Sequence, residues 1–354
     1  MGKTRVTPVA FLQKNWFFFG ILAALVLGFF LSDLEGVLNP RSITRNTLIV
    51  LLFLISGFTL PSEAIVGGLK ELRLHLFVQL FIFLFAPAFF VLTSLPFRGL
   101  WDPELLIGIY ALSCLPTTIS SCIVFTQVSG GNVMGTMFNA ALANLVGVVL
   151  SPLLLSLLMR ETGRPLPVSE LLSILGDLGL LMLLPIAAGQ ILRRILCRVA
   201  NAHKRRLSVA SSLFILLIVF FSFARTAQNP EFMGNLRSML APFGYLAVAH
   251  LALLGLAYAG ARALRFSPQS TVSVLYAAPQ KTLAVGAPLL SAYFTGSPEL
   301  LGVALLPLLF YHVWQLVVAG FVRSSPLVAR LQRTAAPSQA AALSRKAEQP
   351  GEPR

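Results

Sequence analysis

The chain has 354 residues, of which 56% are hydrophobic and 11% charged, with a mean hydropathy of +0.81. A water-facing domain carries roughly 25% charged residues, so this composition excludes a soluble protein and indicates a polytopic membrane protein. The net charge of +14 does not indicate nucleic acid, because no separate basic domain carries it; the basic residues sit in loops beside apolar runs, where they set topology and meet anionic lipid of the bilayer.

Apolar runs of about 17–25 residues cross a bilayer as helices. Ten are read in chain order, giving an all-α polytopic fold: about 16–32, 45–60, 74–94, 104–128, 132–158, 171–192, 208–224, 241–261, 269–293 and 300–322. No small-residue cleavage site follows the first run, which is read as a retained span. Gly2 is followed by Val6 where a myristoylation motif needs Ser or Thr. From Ala335 the chain is rich in Ala, Ser, Pro and charge and lacks an apolar face. Residues 335–354 are therefore expected to be a disordered cytoplasmic tail on a transmembrane domain spanning 1–334.

Ten alternating spans place nineteen of the 27 Lys and Arg residues on one side and seven on the other, with Lys281 inside a span. The excess marks the cytoplasmic side and puts both termini there. The short loops and termini suit a bacterial inner membrane. Ten spans divide as five plus five, so two structural repeats, about 16–158 and 171–322, would be inverted.

The fourth and ninth spans are interrupted. The fourth breaks at Cys114-Leu115-Pro116-Thr117-Thr118-Ile119-Ser120-Ser121, the ninth at Ala278-Pro279-Gln280-Lys281-Thr282. Proline removes an N–H and disfavours helix at the residue before it. An unpaired backbone group in hydrocarbon costs several kcal/mol, so a broken helix persists where it lines a cavity or binds something. Matched breaks in two halves point to a transporter's binding site. Thr117, Thr118, Ser120 and Ser121, with the freed carbonyls, are hard oxygen ligands suited to a hard cation, while half-helix N-termini suit an anion. The bland alternative is a proline kink whose hydroxyls bond back to their own helix.

Lys281 lies mid-span with about twelve residues on either side, too deep to snorkel. Its ammonium needs oxygen partners or gives up its proton. Gln280 and Thr282 flank it. Thr136 and Asn139 share a face of the fifth span, and Asn144 follows. These, with Gln79, His312 and Gln315, are polar points that serve either packing or a ligand. Asp177 is the one carboxylate well inside a span; it is read equally as an ion site, a charge partner for Lys281, or a wetted interfacial residue. Cys114, Cys122 and Cys197 form no CxxC or metal spacing and read as small apolar residues. The chain has no HExxH, no second deep aspartate and no GxSxG elbow, so an enzyme is not indicated and no cofactor is expected.

Several stretches resemble the bile acid:sodium symporter family, nearest to its orphan branch, over about Asn15 to Leu327. They are Ser56-Gly57-Phe58-Thr59-Leu60, Leu74-His75-Leu76-Phe77-Val78-Gln79, and Ser120-Ser121 through Gly130-Gly131-Asn132 to Phe138-Asn139. Lys281-Thr282-Leu283 and Pro307-Leu308-Leu309 with Tyr311-His312 complete the set. The resemblance implies ten spans in two inverted repeats, a core and a panel, with spans four and nine crossing at their breaks. It implies substrate between core and panel and two sodium ions behind the crossing. Ser120, Ser121, Thr136 and Asn139 match the first sodium site, and Gln280 and Gln79 the second. Sodium-coupled members carry a glutamate where this chain has Tyr276 and an asparagine where it has Lys281. Lys281 is thus expected to occupy the first sodium site as a tethered cation, leaving one coupled sodium at most, or the lysine's own proton. The resulting expectation is a secondary active transporter of a small organic anion. The alternatives are a non-transporting regulator that kept the fold and an ion-independent facilitator or exporter.

Overall fold

A computed structural model of the chain describes residues 16–59, 71–159, 168–228, 239–298 and 300–334. The N-terminal residues, Pro61 and the tail from Ala335 lie outside the described residues. Those described form helices and no strands, as hydrocarbon requires of a backbone that must satisfy its own hydrogen bonds.

Helix α1 (Trp16–Phe30) bends by 85° into a short helical connector, Ser32–Leu38. A turn at Pro40–Ser42 then leads to α2 (Ile43–Thr59). Helix α3 is one rod from Leu72 to Ser94 that widens into a π turn at Phe81–Phe85. The fourth apolar run is two helices, α4 (Pro103–Cys114) and α5 (Ser120–Val128). Helix α6 spans Val133–Met159. Helix α7 runs from Val168 to Ala202 with a π turn at Gly179–Leu183, and α8 covers Lys204–Ala227. Helix α9 is Leu240–Ala263. The ninth apolar run is again two helices, α10 (Pro268–Ala277) and α11 (Leu283–Tyr293), followed by α12 (Leu301–Arg323).

Seven of these helices are long and apolar enough to cross a membrane, or eight with the bent pair at α1. Helices α4, α5, α10 and α11 each fall well short of the roughly 20 residues a span needs. The sixth and seventh apolar runs are outrun by their helices, α7 and α8. Helix α7 continues through Arg193, Arg194 and Arg198, because hydrogen bonding and not hydrophobicity sets where a helix stops.

Both π turns have one cause. Pro87 and Pro185 each stand two residues beyond the turn. Proline cannot donate to the carbonyl four residues back and its ring crowds it, and a widened turn relieves both defects.

Helix α2 lies along α7, and α8 along α1 and α2. The α2–α7 contact is close because both sides are glycine. A Cβ on Gly57 would stand 2.2 Å from Ile186 O, and one on Gly189 2.3 Å from Leu54 O. In a second group, α12 lies along α4, α6 along α4 and α5, and α9 along α10 and α12. Here Ile107, Tyr110, Phe90 and Tyr311 are fully buried. Outward faces carry Leu, Ile, Val and Phe, such as Phe30, Leu184, Ile195, Val248 and Phe321, as a lipid-facing surface does.

Candidate functional site

The end of α4 leaves a run of carbonyls without helical N–H partners. Pro116 sits four residues after Leu112, whose carbonyl instead accepts from Leu115 N (3.2 Å). Every following carbonyl up to Thr117 is then met from another element. Ser151 Oγ of α6 donates to Cys114 O (2.8 Å), and Asn144 Nδ2 to Thr117 O (2.8 Å). Thr282 N of the second break donates to Pro116 O (2.9 Å). The two interruptions thus bond directly to each other.

Lys281 closes the remaining gaps. Its Nζ donates to Ser113 O (2.8 Å), Leu115 O (2.9 Å) and Ile82 O (3.1 Å). The third acceptor has a sequence cause. In the π turn Ala86 N already bonds Phe81 O. The next partner in that pattern, for Ile82 O, would be residue 87, a proline with no N–H. Pro87 therefore orphans the Ile82 carbonyl, and the lysine satisfies it. The side chain is 1% exposed, and a triad of carbonyl oxygens, two of them at the negative end of a helix, is what a buried cation needs.

The ammonium's acceptors are backbone carbonyls of α3 and of the end of α4, and none belongs to Ser120, Ser121, Thr136 or Asn139. Nor does Asp177 pair with it. Asp177 is exposed and lines a separate cavity between α2, α7, α8 and α11.

The hydroxyls and amides divide into small groups. Gln280 Oε1 lies within hydrogen-bond distance of Thr118 Oγ1 (2.5 Å) and Ser121 Oγ (3.0 Å), and the two hydroxyl oxygens stand 2.6 Å apart, so their two protons are shared over three contacts. Gln79 Nε2 donates to Asn139 O (3.1 Å) and Oδ1 (3.2 Å). Thr136 Oγ1 bonds Thr126 Oγ1 (3.2 Å), and Tyr276 OH, at the glutamate position of the resemblance, bonds Ser129 Oγ (2.9 Å). Gln79 and Gln280, matched to one sodium site, thus sit in different groups. Ser120 is exposed, and Thr282 caps α11 by accepting from Ala284 N (3.3 Å). Thr117 Oγ1 and Gln79 Oε1 are buried without a partner. They are unpaired oxygens, one in the first break and one on α3, of the hard type that a monovalent cation accepts.

Gln315, read from sequence as a polar point for either packing or a ligand, and Tyr311, noted there only for the resemblance, hold the second break. Lys281 N donates to Gln315 Oε1 (2.8 Å), and Gln315 Nε2 donates to Lys281 O (2.8 Å). One amide thereby replaces a missing helical turn. Tyr311 OH donates to Pro279 O (2.8 Å) and bonds His250 Nδ1 (2.9 Å). Spacing offered a signal only for Gln315, a buried amide in an otherwise apolar span.

The apolar helices make the chain a multi-pass membrane protein, and the family it matches makes it a transporter. The chain belongs to the SBF-like CPA transporter family, whose model matches residues 15–329. It is 30% identical to the Sodium/bile acid cotransporter 7-B of Xenopus laevis over 316 residues, 87% of this chain and 90% of that protein. It is 30% identical to the Sodium/bile acid cotransporter 7 of Mus musculus over 319 residues, 86% of this chain and 90% of the other. An uncharacterised protein of Pseudomonas aeruginosa is 32% identical over 312 residues, 87% of this chain and 91% of that one.

Proposed function

We propose that the chain is a secondary active transporter of a small organic anion that works by alternating access. In this reading its ten spans form two inverted five-helix repeats, about 16–158 and 171–322, with both termini cytoplasmic. The helix pairs α4–α5 and α10–α11 are spans four and nine; α1, α2, α7 and α8 form a panel, and the other helices a core. The observation that carries the reading is the junction of the breaks, where Thr282 N meets Pro116 O and Gln280 lies between Thr118 and Ser121. A hydrogen-bonded crossing of this kind changes its oxygen geometry when core and panel shift, which is what couples an ion to a conformational change.

Relatives named as sodium/bile acid cotransporters support sodium as the coupling ion. The composition of the site supports fewer ions than two. Tyr276 brings no carboxylate, and Lys281 supplies a fixed cation close to the crossing. One sodium at most is coupled, taken by the oxygens of Thr117, Thr118, Ser121 and Gln280, with the lysine's proton as the alternative.

The test is uptake of radiolabelled organic anions, taurocholate and estrone sulfate first, into proteoliposomes. The gradients compared are an inward sodium gradient, an inward proton gradient and none. Concentrative uptake with either ion gradient supports the reading. Flux independent of both identifies a facilitator. No flux of an anion that nevertheless raises the melting temperature identifies a regulator that binds without moving anything.

A further inference from the structure

Helix α7 runs beyond its apolar stretch into a basic elbow. From Arg193 to Arg206 six of the fourteen residues are Lys or Arg, and no carboxylate stands between Asp177 and Glu231. The helix bends at Leu196 (φ −117°, ψ 34°), and the chain turns at His203 into α8. Arg193 fixes this elbow. Its guanidinium is buried and donates to Phe58 O at the end of α2 (3.2 Å) and, across the bend, to Asn201 Oδ1 (3.2 Å). Gln190 Nε2 donates to Gly57 O (2.6 Å). Side chains of α7 thus satisfy the last carbonyls of α2, and the elbow is tied to that helix.

The other five cations, Arg194, Arg198, Lys204, Arg205 and Arg206, are exposed and belong to no ion pair among the described residues. Nor do they all serve the helices that carry them. Lys204, Arg205 and Arg206 fill the first turn of α8, at the positive end of its dipole, where cations are unfavourable. Beside them lie aliphatic side chains that a water-facing elbow would not present. Ile195 is 74% exposed, and Leu196 and Val199 are exposed as well, all beyond the apolar run. Ile191 and Ile195, four apart, form one stripe, and Arg194 and Arg198, also four apart, form the next. Exposed aliphatic chains next to unpaired cations make the face of an interfacial segment, whose apolar part enters the acyl boundary while its charges lie at the headgroups.

We propose that this elbow is a docking surface for anionic phospholipid of the leaflet. Phosphatidylglycerol-type headgroups are held by Arg194, Arg198 and the three cations that open α8, with Ile191, Ile195 and Val199 seated in the acyl boundary. Charge complementarity selects the partner, since a zwitterionic headgroup offers five unpaired cations no net charge. Because Arg193 ties the elbow to α2, lipid held there anchors the α2–α7 pair at the membrane surface. The proposal concerns one place. Diffuse contact of basic loops with lipid predicts a loss wherever charge is removed, whereas a docking surface predicts it at the elbow alone.

The measurement is the melting temperature of delipidated full-length protein in uncharged detergent, titrated with phosphatidylglycerol, phosphatidylcholine or glycerol 1-phosphate at fixed ionic strength. A saturable rise with phosphatidylglycerol alone is expected. The triple variant Arg194→Gln, Arg198→Gln, Lys204→Gln should move its midpoint to about a hundredfold more lipid, about fivefold for each cation removed. The control Arg262→Gln, Arg265→Gln, exposed at the end of α9, should leave the midpoint in place. If the triple variant fails to fold, Arg205→Gln with Arg206→Gln asks the same question at about a twenty-fivefold shift. An equal rise with phosphatidylcholine, an equal rise with glycerol 1-phosphate, no rise at all, or an equal shift in the control overturns the proposal. Melting is read without a gradient, so the outcome is independent of whether the chain transports.

Discussion

Replacing Lys281 by methionine, similar in length and uncharged, removes three donors at once. The carbonyls of Ile82, Ser113 and Leu115 are then left in a dry interior. At about 1–3 kcal/mol for each unsatisfied group, the loss is roughly 3–9 kcal/mol. Against this, a methionine avoids the roughly 2.5–3.5 kcal/mol that a lysine costs at the centre of a span. The difference is centred on a net destabilisation of about 3 kcal/mol, roughly 6 lost against roughly 3 regained. A second substitution makes the reasoning sharper. Pro87→Ala restores an N–H that can serve Ile82 O. In the wild type that carbonyl is already satisfied by the lysine, so Pro87→Ala gains little. In the Lys281→Met background it should recover about 1–2 kcal/mol, the worth of one buried hydrogen bond. A double-mutant cycle on denaturant unfolding in detergent measures this coupling. A coupling energy indistinguishable from zero would refute the claim that Pro87 creates the vacancy Lys281 fills. A Lys281→Met protein as stable as wild type would remove the carbonyl triad as a stabilising feature.

Other substitutions probe the rest of the crossing. Gln315→Leu unpairs both the N–H and the C=O of Lys281, and should lower stability by about 2–4 kcal/mol in the same unfolding assay. Gln280→Ala takes the acceptor from Thr118 and Ser121; flux into proteoliposomes should fall by about tenfold, with folded yield on size-exclusion chromatography retained, since one displaced ligand group costs on the order of 1.4 kcal/mol. The double variant Tyr276→Glu, Lys281→Asn exchanges a phenol and a fixed cation for a carboxylate and an amide. Its melting temperature should rise with sodium but not with potassium at constant ionic strength, and no difference between the salts would show that these two residues do not set cation capacity. A Cβ at Gly108 would lie 2.1 Å from Ala304 O; Gly108→Val should therefore separate α4 from α12 and abolish folded material, and a normal yield would contradict that packing.

Much of the architecture was legible from one-dimensional signals, and for a physical reason. A lipid-embedded backbone has no water to bond to, so apolar runs become helices almost regardless of detail, and prolines beside polar clusters mark where they stop. That is why the breaks at Pro116 and Pro279 were found, and why Lys281 stood out as a charge too deep to snorkel. The stopping points of α7 were not legible, because helices continue past the apolar run wherever their hydrogen bonds do. Nor were the π turns at Phe81–Phe85 and Gly179–Leu183, although each is the consequence of a proline that could be read.

The sequence by itself determined that this chain is a multi-pass helical membrane protein, that two of its apolar runs are interrupted, and that a lysine is buried at one interruption. Only the tertiary structure decided which oxygens that lysine meets. Spacing along a chain constrains neighbours on one helix, whereas Ile82, Ser113 and Leu115 reach Lys281 from two other helices. They do so through backbone carbonyls, whose availability depends on where those helices end or widen.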